Sequence, residues 1–147
     1  MPRIQNLEEL KSFTREFLAG LQPGRAATVV ALYGDLGAGK TAFVKALAKE
    51  LGVEDTVSSP TFVLQKIYAL PKQKLGQKFT HLIHFDAYRL LRSEELQALS
   101  WKELIAEPGN LICIEWAERV EELLPKGAKR IRFTHLDETT REIRVEV

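Results

Sequence analysis

Eight consecutive residues, at positions 34–41, constrain this chain more than any other part of it. They read Gly-Asp-Leu-Gly-Ala-Gly-Lys-Thr, which matches the pattern G-x-x-x-x-G-K-[ST] completely. The glycines allow the backbone to curl so that successive N–H groups point at one anion, where a side chain would obstruct the approach. Lys40 supplies a positive charge for β- and γ-phosphates, and Thr41 supplies a hydroxyl for Mg²⁺. The segment therefore predicts a phosphate-binding loop whose candidate contacts are Gly34, Asp35, Leu36, Gly37, Ala38, Gly39, Lys40 and Thr41.

The sequence on either side of the loop supports this interpretation. Residues 27–33 are apolar and β-branched, which is typical of a fully buried strand. Residues 42–51 are rich in helix formers, and Phe43, Leu47 and Leu51 recur at helical spacing. Gly52 follows at the position where a helix commonly ends. Because strand, glycine loop and helix come in the order that triphosphate binding requires, a glycine turn without a ligand is the less favoured alternative.

Three further helices are expected from apolar periodicity and from capping residues. Asn6 is placed to cap a first helix. The apolar stripe of that helix consists of Leu7, Leu10, Phe13, Phe17 and Leu21. Ser93 is expected to begin another helix, whose buried face consists of Leu96, Leu99 and Leu104. A brief helix is expected over residues 117–124, before Pro125.

Strands are expected where apolar and β-branched residues alternate or cluster. We expect strands at residues 62–68, at 79–85 with Asp86 at the end, and at 110–114 with Glu115 at the end. A terminal hairpin is expected between residues 129–134 and 141–147, with Ile131 and Phe133 on one face and Ile143, Val145 and Val147 on the other strand. These elements predict one α/β domain over residues 1–147, similar to P-loop NTPases, in which helices flank a mixed parallel and antiparallel central sheet.

Composition narrows the class of protein further. The chain has 147 residues, of which 45% are hydrophobic and 28% charged, so it can form a substantial core. Its formal net charge is +1, so no overall field favours nucleic acids or membranes. No apolar segment is long enough to span a bilayer, and the single cysteine, Cys113, lies in an apolar run where an inert buried thiol is expected. We therefore expect a cytoplasmic protein that has no membrane contact and no disulfide framework.

Local charge is less even than the total. No acidic residue lies between Asp55 and Asp86, whereas four lysines do: Lys66, Lys72, Lys74 and Lys78. A solvated loop between strands is one interpretation. A contact for an acidic partner or for RNA backbone is the other, and the sequence leaves both open.

Hydrolysis or transfer of a phosphoryl group also requires a carboxylate beside the phosphates. Asp86 and Glu115 each follow an apolar strand, which is where ligands bind in open α/β sheets. Each alone could be a solvated strand-terminal acid, but two of them beside an intact phosphate loop favour a functional role. His84 has no metal-ligand spacing with the other histidines and is interpreted as a partly buried, hydrogen-bonded residue.

Four motifs together make the chain recognisable. They are the loop at residues 34–41, Ser-Pro-Thr-Phe at 59–62, His-Phe-Asp-Ala-Tyr-Arg-Leu at 84–90 and Glu-Trp at 115–116. In this order and spacing they strongly resemble the TsaE family, bacterial P-loop ATPases needed for threonylcarbamoyladenosine formation in tRNA. The resemblance runs over most of the chain, although Ser100 stands where the family commonly has glycine.

The resemblance implies roles for individual residues. ATP would be held by residues 34–41 and Trp116, and Mg²⁺ by Thr41, Asp86 and Glu115. Catalysis would rest on Lys40, Asp86, Glu115 and Thr61, with Asp86 the candidate general base. On local grounds Thr61 is equally suited to cap a turn, and Trp116 to pack in the core. Tyr88 and Arg89 are candidate contacts to the site or to a partner.

The resemblance also implies partners. The chain would work with a TsaD–TsaB complex that modifies adenosine 37 of certain tRNAs, and ATP hydrolysis would reset that complex between turnovers. Contact with tRNA would then come through the partner complex. Two alternatives remain: a small-molecule kinase, which shares the phosphate loop, and a nucleotide-responsive binding module that does not hydrolyse ATP.

Overall fold

The computed structural model of the chain describes residues 3–35, 37–54, 65–72, 76–88, 95 and 100–146. The helices in these ranges are α1 (Leu7–Gly20), α2 (Lys40–Glu50) and α3 (Trp101–Ala106), and a 3-10 helix spans Ala117–Leu123. The strands are β1 (Arg3–Ile4), β2 (Thr28–Tyr33), β3 (Gln65–Ala69), β4 (His81–Asp86), β5 (Asn110–Glu115), β6 (Lys129–His135) and β7 (Arg141–Glu146).

The described strands form one mixed sheet, as the sequence predicts. Their order is β1-β7-β6-β2-β5-β4-β3. The strands at the centre run parallel: β2 pairs in parallel with both β5 and β6, and β4 pairs in parallel with β5. The edges are antiparallel, where β3 pairs with β4, β7 with β6, and β1 with β7. The predicted terminal hairpin, β6–β7, is therefore confirmed.

The alternation of side chains along β2 divides the core between the two faces of the sheet. Val30 and Leu32 point to the face covered by α1 and α2. Val29, Ala31 and Tyr33 point to the other face, where α3 and the 3-10 helix pack. Because both faces are covered, β2 reads as a continuous apolar run, which is typical of a parallel strand at the centre of a sheet.

Helix α1 begins where the sequence predicts, and helix α2 ends where the sequence predicts. The Asn6 side chain accepts a hydrogen bond from the Glu9 backbone N–H at 2.9 Å and so caps α1. After α2, the N–H groups of Gly52 and Val53 donate to the carbonyls of Lys49 and Ala48, which completes a Schellman motif. One prediction for α1 is wrong: Leu7 is 70% exposed, because it borders an open cavity instead of the core.

One residue of the predicted terminal hairpin departs from its expected place, whereas the strand predicted at 62–68 agrees with the structure where it is described. Val145 is 39% exposed rather than buried. In the described part of the chain, the short strand β1 pairs with β7 at Arg141 and Glu142, and Val145 lies beyond these paired positions. Gln65–Ala69 form strand β3, which agrees with the prediction for 62–68, and residues 62–64 lie outside the described residues.

The helix predicted from Ser93 does not continue to Leu104. Ser100 has φ +66°, a left-handed conformation, so the right-handed helix α3 can begin only after it. Trp101 then lies 1% exposed, with its ring 5.6 Å from that of Phe85. Leu104 is partly buried against the same cluster, whereas Leu96 and Leu99 lie outside the described residues.

The lysine-rich stretch has a structural role in at least one position. The Lys78 ammonium donates to the carbonyls of Ala19 at 3.1 Å and Leu21 at 2.9 Å, where it satisfies the carboxyl end of α1. Cys113 is buried as predicted, and burial raises the pKa of its thiol far above the usual range. Within the described part of the chain, no helix has the length and apolar character needed to cross a membrane.

The left-handed Ser100 predicts a stabilising substitution. Ser100→Gly removes the steric cost of positive φ, offset in part by the greater freedom of glycine in the unfolded chain, so we expect a gain of about 1 kcal/mol in the free energy of unfolding. Urea denaturation of the parent and the variant measures this difference. Ser100→Ala is the matched control, because it keeps the strained backbone. Equal stability of the glycine and alanine variants would contradict the strain argument.

Candidate functional site

The loop at residues 34–41 joins the buried strand β2 to helix α2 at the carboxyl edge of the sheet. Gly34 has φ +142°, and a Cβ there would lie 2.6 Å from the Phe133 carbonyl oxygen of β6. Gly39, at φ +111°, is the N-cap of α2. Glycine at these two positions lets the loop pass close to β6 and then enter the helix directly. The first turn of α2 therefore faces the loop with N–H groups that have no partner within the helix, which suits an anion. Leu36 lies outside the described residues.

Lys40 is almost fully buried beside its own loop. Its ammonium donates to the carbonyl of Gly34 and, at 3.3 Å, to that of Asp35. The Nζ atom also lies 3.7 Å from the centre of the Trp116 ring, a cation–π contact. Burial lowers the pKa of Lys40, and nearby carboxylates, Glu115 first, oppose that shift. The cation predicted to bind phosphate is thus held at the loop by carbonyl oxygens and an aromatic face.

The two predicted acids lie side by side. Asp86 and Glu115 end the parallel strands β4 and β5 and are direct partners in the register. Glu115 is 3% exposed, and its Oε1 accepts a hydrogen bond of 2.8 Å from the Thr41 hydroxyl. Asp86 is partly buried and accepts the N–H of Tyr88 at 2.9 Å. The structure therefore brings Lys40, Thr41, Asp86 and Glu115 to one place, whereas Thr61 and Arg89 lie outside the described residues.

These side chains fit Mg²⁺ by their chemistry. A hydroxyl and two carboxylates are hard oxygen donors, and Mg²⁺ prefers such ligands. No cluster of three or more His, Cys, Asp or Glu side chains in the described ranges is arranged to hold a metal by itself. Mg²⁺ commonly takes one or two carboxylates and completes its coordination with water and substrate phosphates. The donor set therefore suits a metal that arrives with a nucleotide.

His84 has a more specific place than the sequence suggested. Its side chain is fully buried, not partly buried, and its Nε2 lies 2.5 Å from Glu115 Oε2. Its Nδ1 has no hydrogen-bond partner among the described residues, so the predicted hydrogen bonding is only half present. The spacing of two from His84 to Asp86 was a usable signal, because it places both side chains on one face of β4.

Trp116 forms the side of the site next to Lys40. It has φ +58°, a left-handed backbone conformation that is unusual for a large residue. The ring of the half-exposed Tyr88 lies 4.9 Å from the Trp116 ring, and the Arg119 guanidinium lies 5.4 Å from the Tyr88 ring. Trp116 is thus both a packing residue and a direct neighbour of the loop lysine.

A cavity of about 720 Å³ is lined by the loop, by Asp86 and Glu115, and by residues farther from them. Its far walls come from the segment before α1 and from the β6–β7 hairpin. The residues there include Gln5, Asn6, Leu7, Phe133, Thr139 and Arg141. Sequence reasoning missed these residues because the long-range pairing of β1 with β7 brings the two segments together, and no local pattern records that pairing.

Comparisons with known proteins agree with this architecture. The family described as "Threonylcarbamoyl adenosine biosynthesis protein TsaE" matches residues 4–143. The chain is 35% identical over 142 residues to a protein of Rickettsia prowazekii named tRNA threonylcarbamoyladenosine biosynthesis protein TsaE, covering 96% of this chain and 90% of the relative. The protein of the same name from Bacillus subtilis is 37% identical over 141 residues, covering 96% and 81%.

A solved structure supports the fold. The crystal structure of Bacillus subtilis YdiB matches with a TM-score of 0.72 and 32% sequence identity, over 97% of this chain and 80% of that chain. The predicted P-loop NTPase-like α/β fold is confirmed. With a family match across 4–143 and relatives that align along nearly the whole sequence, the chain belongs to the TsaE family of threonylcarbamoyl adenosine biosynthesis proteins.

Proposed function

We propose that this protein is a Mg²⁺-dependent ATPase that acts in the formation of threonylcarbamoyladenosine on tRNA. Membership of the family supports the role in tRNA modification, and the residues of the site support ATP hydrolysis with Mg²⁺. The observation that carries the proposal is the 2.8 Å hydrogen bond from Thr41 to Glu115 beside the buried Lys40. It joins the end of the phosphate loop to the acid of the neighbouring parallel strand, an arrangement suited to holding a metal against a bound triphosphate.

Triphosphate binding is assigned to the loop and the first turn of α2. Backbone N–H groups would contact the phosphate oxygens, and Lys40 would exchange its two loop carbonyls for the β- and γ-phosphates. Thr41 and Glu115 would hold Mg²⁺, which would supply positive charge that offsets the charge of the phosphates. The space for the nucleoside is the cavity between the segment before α1 and the β6–β7 hairpin.

Hydrolysis needs a water molecule in line with the γ-phosphate. Asp86 is our candidate for orienting it, because its carboxylate lies at the end of β4 beside Glu115 and is itself oriented by the Tyr88 N–H. Thr61 is proposed to contact the γ-phosphate region, as the family resemblance implies.

The proposed partner is a TsaD–TsaB complex, and hydrolysis is proposed to reset it between turnovers. Tyr88 is 48% exposed and packs on Trp116, which contacts Lys40. A partner that contacts Tyr88 would therefore be connected to Lys40 through the side chains of Tyr88 and Trp116. A cytoplasmic location is proposed from the same pathway.

The ATPase proposal predicts a partner-dependent activity that two variants remove. We expect Lys40→Ala and Glu115→Ala each to lower the rate of phosphate release at least about 100-fold, because the first loses a positive charge beside the phosphates and the second loses the carboxylate proposed to hold Mg²⁺. The measurement is phosphate release from ATP and Mg²⁺ with and without purified TsaD–TsaB complex. Lys45→Ala, an exposed lysine on the same helix, is the matched control and should keep the parental rate.

Three results would contradict the proposal. Parental rates in both site variants would show that the site is misassigned. Phosphate transfer to an added small acceptor, with no free phosphate, would instead identify a kinase. ATP binding without turnover, even with the complex present, would identify a binding module.

The cavity assignment predicts a separate effect on nucleotide affinity. Leu7→Ala removes an apolar side chain that is 70% exposed and lines the cavity, so stability should not change. We expect the Kd for ADP to rise about fivefold, which corresponds to the loss of about 1 kcal/mol of apolar contact. Calorimetric titration measures this, with Leu136→Ala, another exposed leucine, as the control. Equal affinities in the two variants would place the nucleoside elsewhere.

A further inference from the structure

His84 and Glu115 form a buried polar pair on neighbouring parallel strands. Their side chains are 0% and 4% exposed, and 2.5 Å separates Nε2 of the imidazole from Oε2 of the carboxylate. Burying two polar side chains costs desolvation free energy, and a well-formed hydrogen bond between them is needed to offset that cost. The short distance between Nε2 and Oε2 indicates such a hydrogen bond. The pair therefore has a defined geometry that can serve the site.

The two oxygens of Glu115 have different partners. Oε1 accepts from the Thr41 hydroxyl, and Oε2 contacts His84 Nε2. With Glu115 in its carboxylate form, both oxygens only accept, and the contact then places an imidazole proton on Nε2. One partner on each oxygen fixes the rotation of the carboxylate about its final bond, which two freely solvated oxygens would not do.

The residues around His84 give no packing reason for a histidine, rather than an apolar residue, at this buried position. Its register partners are Cys113 on β5 and Lys66 on β3, and Leu82 precedes it on the same face of β4. Its Nδ1 has no hydrogen-bond partner within the described chain. A histidine kept for packing alone would be expected to satisfy both nitrogens or to be replaced by an apolar residue, since an unsatisfied buried nitrogen is costly. The role that remains for a histidine at this position is the contact of its Nε2 with Glu115.

We propose that His84 is a positioning residue that orients Glu115 for the metal. By donating Nε2–H to Oε2, the imidazole holds the carboxylate so that Oε1 stays directed toward Thr41, and hence toward the metal that Thr41 and Glu115 share. This inference rests on the proposed function, in which Glu115 is a Mg²⁺ ligand. Groups that orient a metal ligand in this way commonly change metal affinity 10- to 100-fold when they are removed.

The test separates metal binding from nucleotide binding. Mn²⁺ replaces Mg²⁺ and is titrated into the complex of the full chain with ADP, with free Mn²⁺ followed by electron paramagnetic resonance. ADP affinity is measured separately in EDTA. The variants are His84→Leu, which removes the donor, and His84→Gln, whose amide N–H reaches about the position of Nε2. Glu115→Ala is the reference for loss of the ligand, and His81→Leu, on the same strand, is the control.

We expect His84→Leu to weaken Mn²⁺ binding at least about tenfold while ADP affinity in EDTA stays parental. His84→Gln should restore most of the Mn²⁺ affinity, and His81→Leu should have none of this effect. If His84→Leu does not fold, as judged by its thermal melt, the comparison passes to His84→Gln and His84→Asn, because the shorter amide cannot reach Glu115.

Different outcomes overturn different statements. Parental Mn²⁺ affinity in the variants that lack the donor, with weak binding in Glu115→Ala, would overturn the role of His84 alone. Equal losses in His84→Gln and the donor-lacking variant would do the same, because a purely structural role would not be rescued by a donor at that position. Parental affinity in Glu115→Ala would show that the metal is not held there and would overturn the proposed site as well.

Discussion

The parallel pairing of β5 with β2 on one side and with β4 on the other sets the position of every polar group in the site. Register matches Leu32 with Glu115 and Glu115 with Asp86, so the loop after β2 begins beside both acids. Helix α2 then returns across one face of the sheet and places Thr41 against Glu115. A slip of one residue in β5 would turn Glu115 to the opposite face, where α3 and the 3-10 helix pack.

Lys40 and Glu115 are buried polar groups of the site, and each has partners within the chain. Lys40 is bound by loop carbonyls and by Trp116, and Glu115 is bound by Thr41 and His84. Burial makes these contacts strong and makes an unpaired group costly. Nucleotide binding in the proposed function is thus an exchange of partners: Lys40 leaves its carbonyls for phosphate, and Thr41 leaves Glu115 to share a metal with it. Such a site suits a ligand that brings negative oxygens and a cation together.

The sequence predicted those features that depend on neighbouring residues. The turn from β2 into α2, the Asn6 cap and the end of α2 at Gly52 follow local rules, and all are present. Asp86 and Glu115 could be paired in advance because strand-terminal acids meet at one edge of a parallel sheet. The cavity lined by Leu7 and Thr139 depends on the β1–β7 pairing across most of the chain. The break at Ser100 and the contact of His84 with Glu115 depend on tertiary packing, which serine and histidine do not encode by residue type.

The central claim is that residues 34–41 and Glu115 form a site for a metal-bound triphosphate. A crystal structure tests this claim most directly. The protein should be crystallised with Mg²⁺ and an ATP analogue that resists hydrolysis. We expect the Lys40 ammonium to have left the Gly34 carbonyl and the Trp116 ring for the β- and γ-phosphates, with Mg²⁺ on the Thr41 hydroxyl and held directly or through water by Glu115. A triphosphate bound elsewhere, or a Lys40 still held by Gly34 and Trp116 beside the bound nucleotide, would contradict the account.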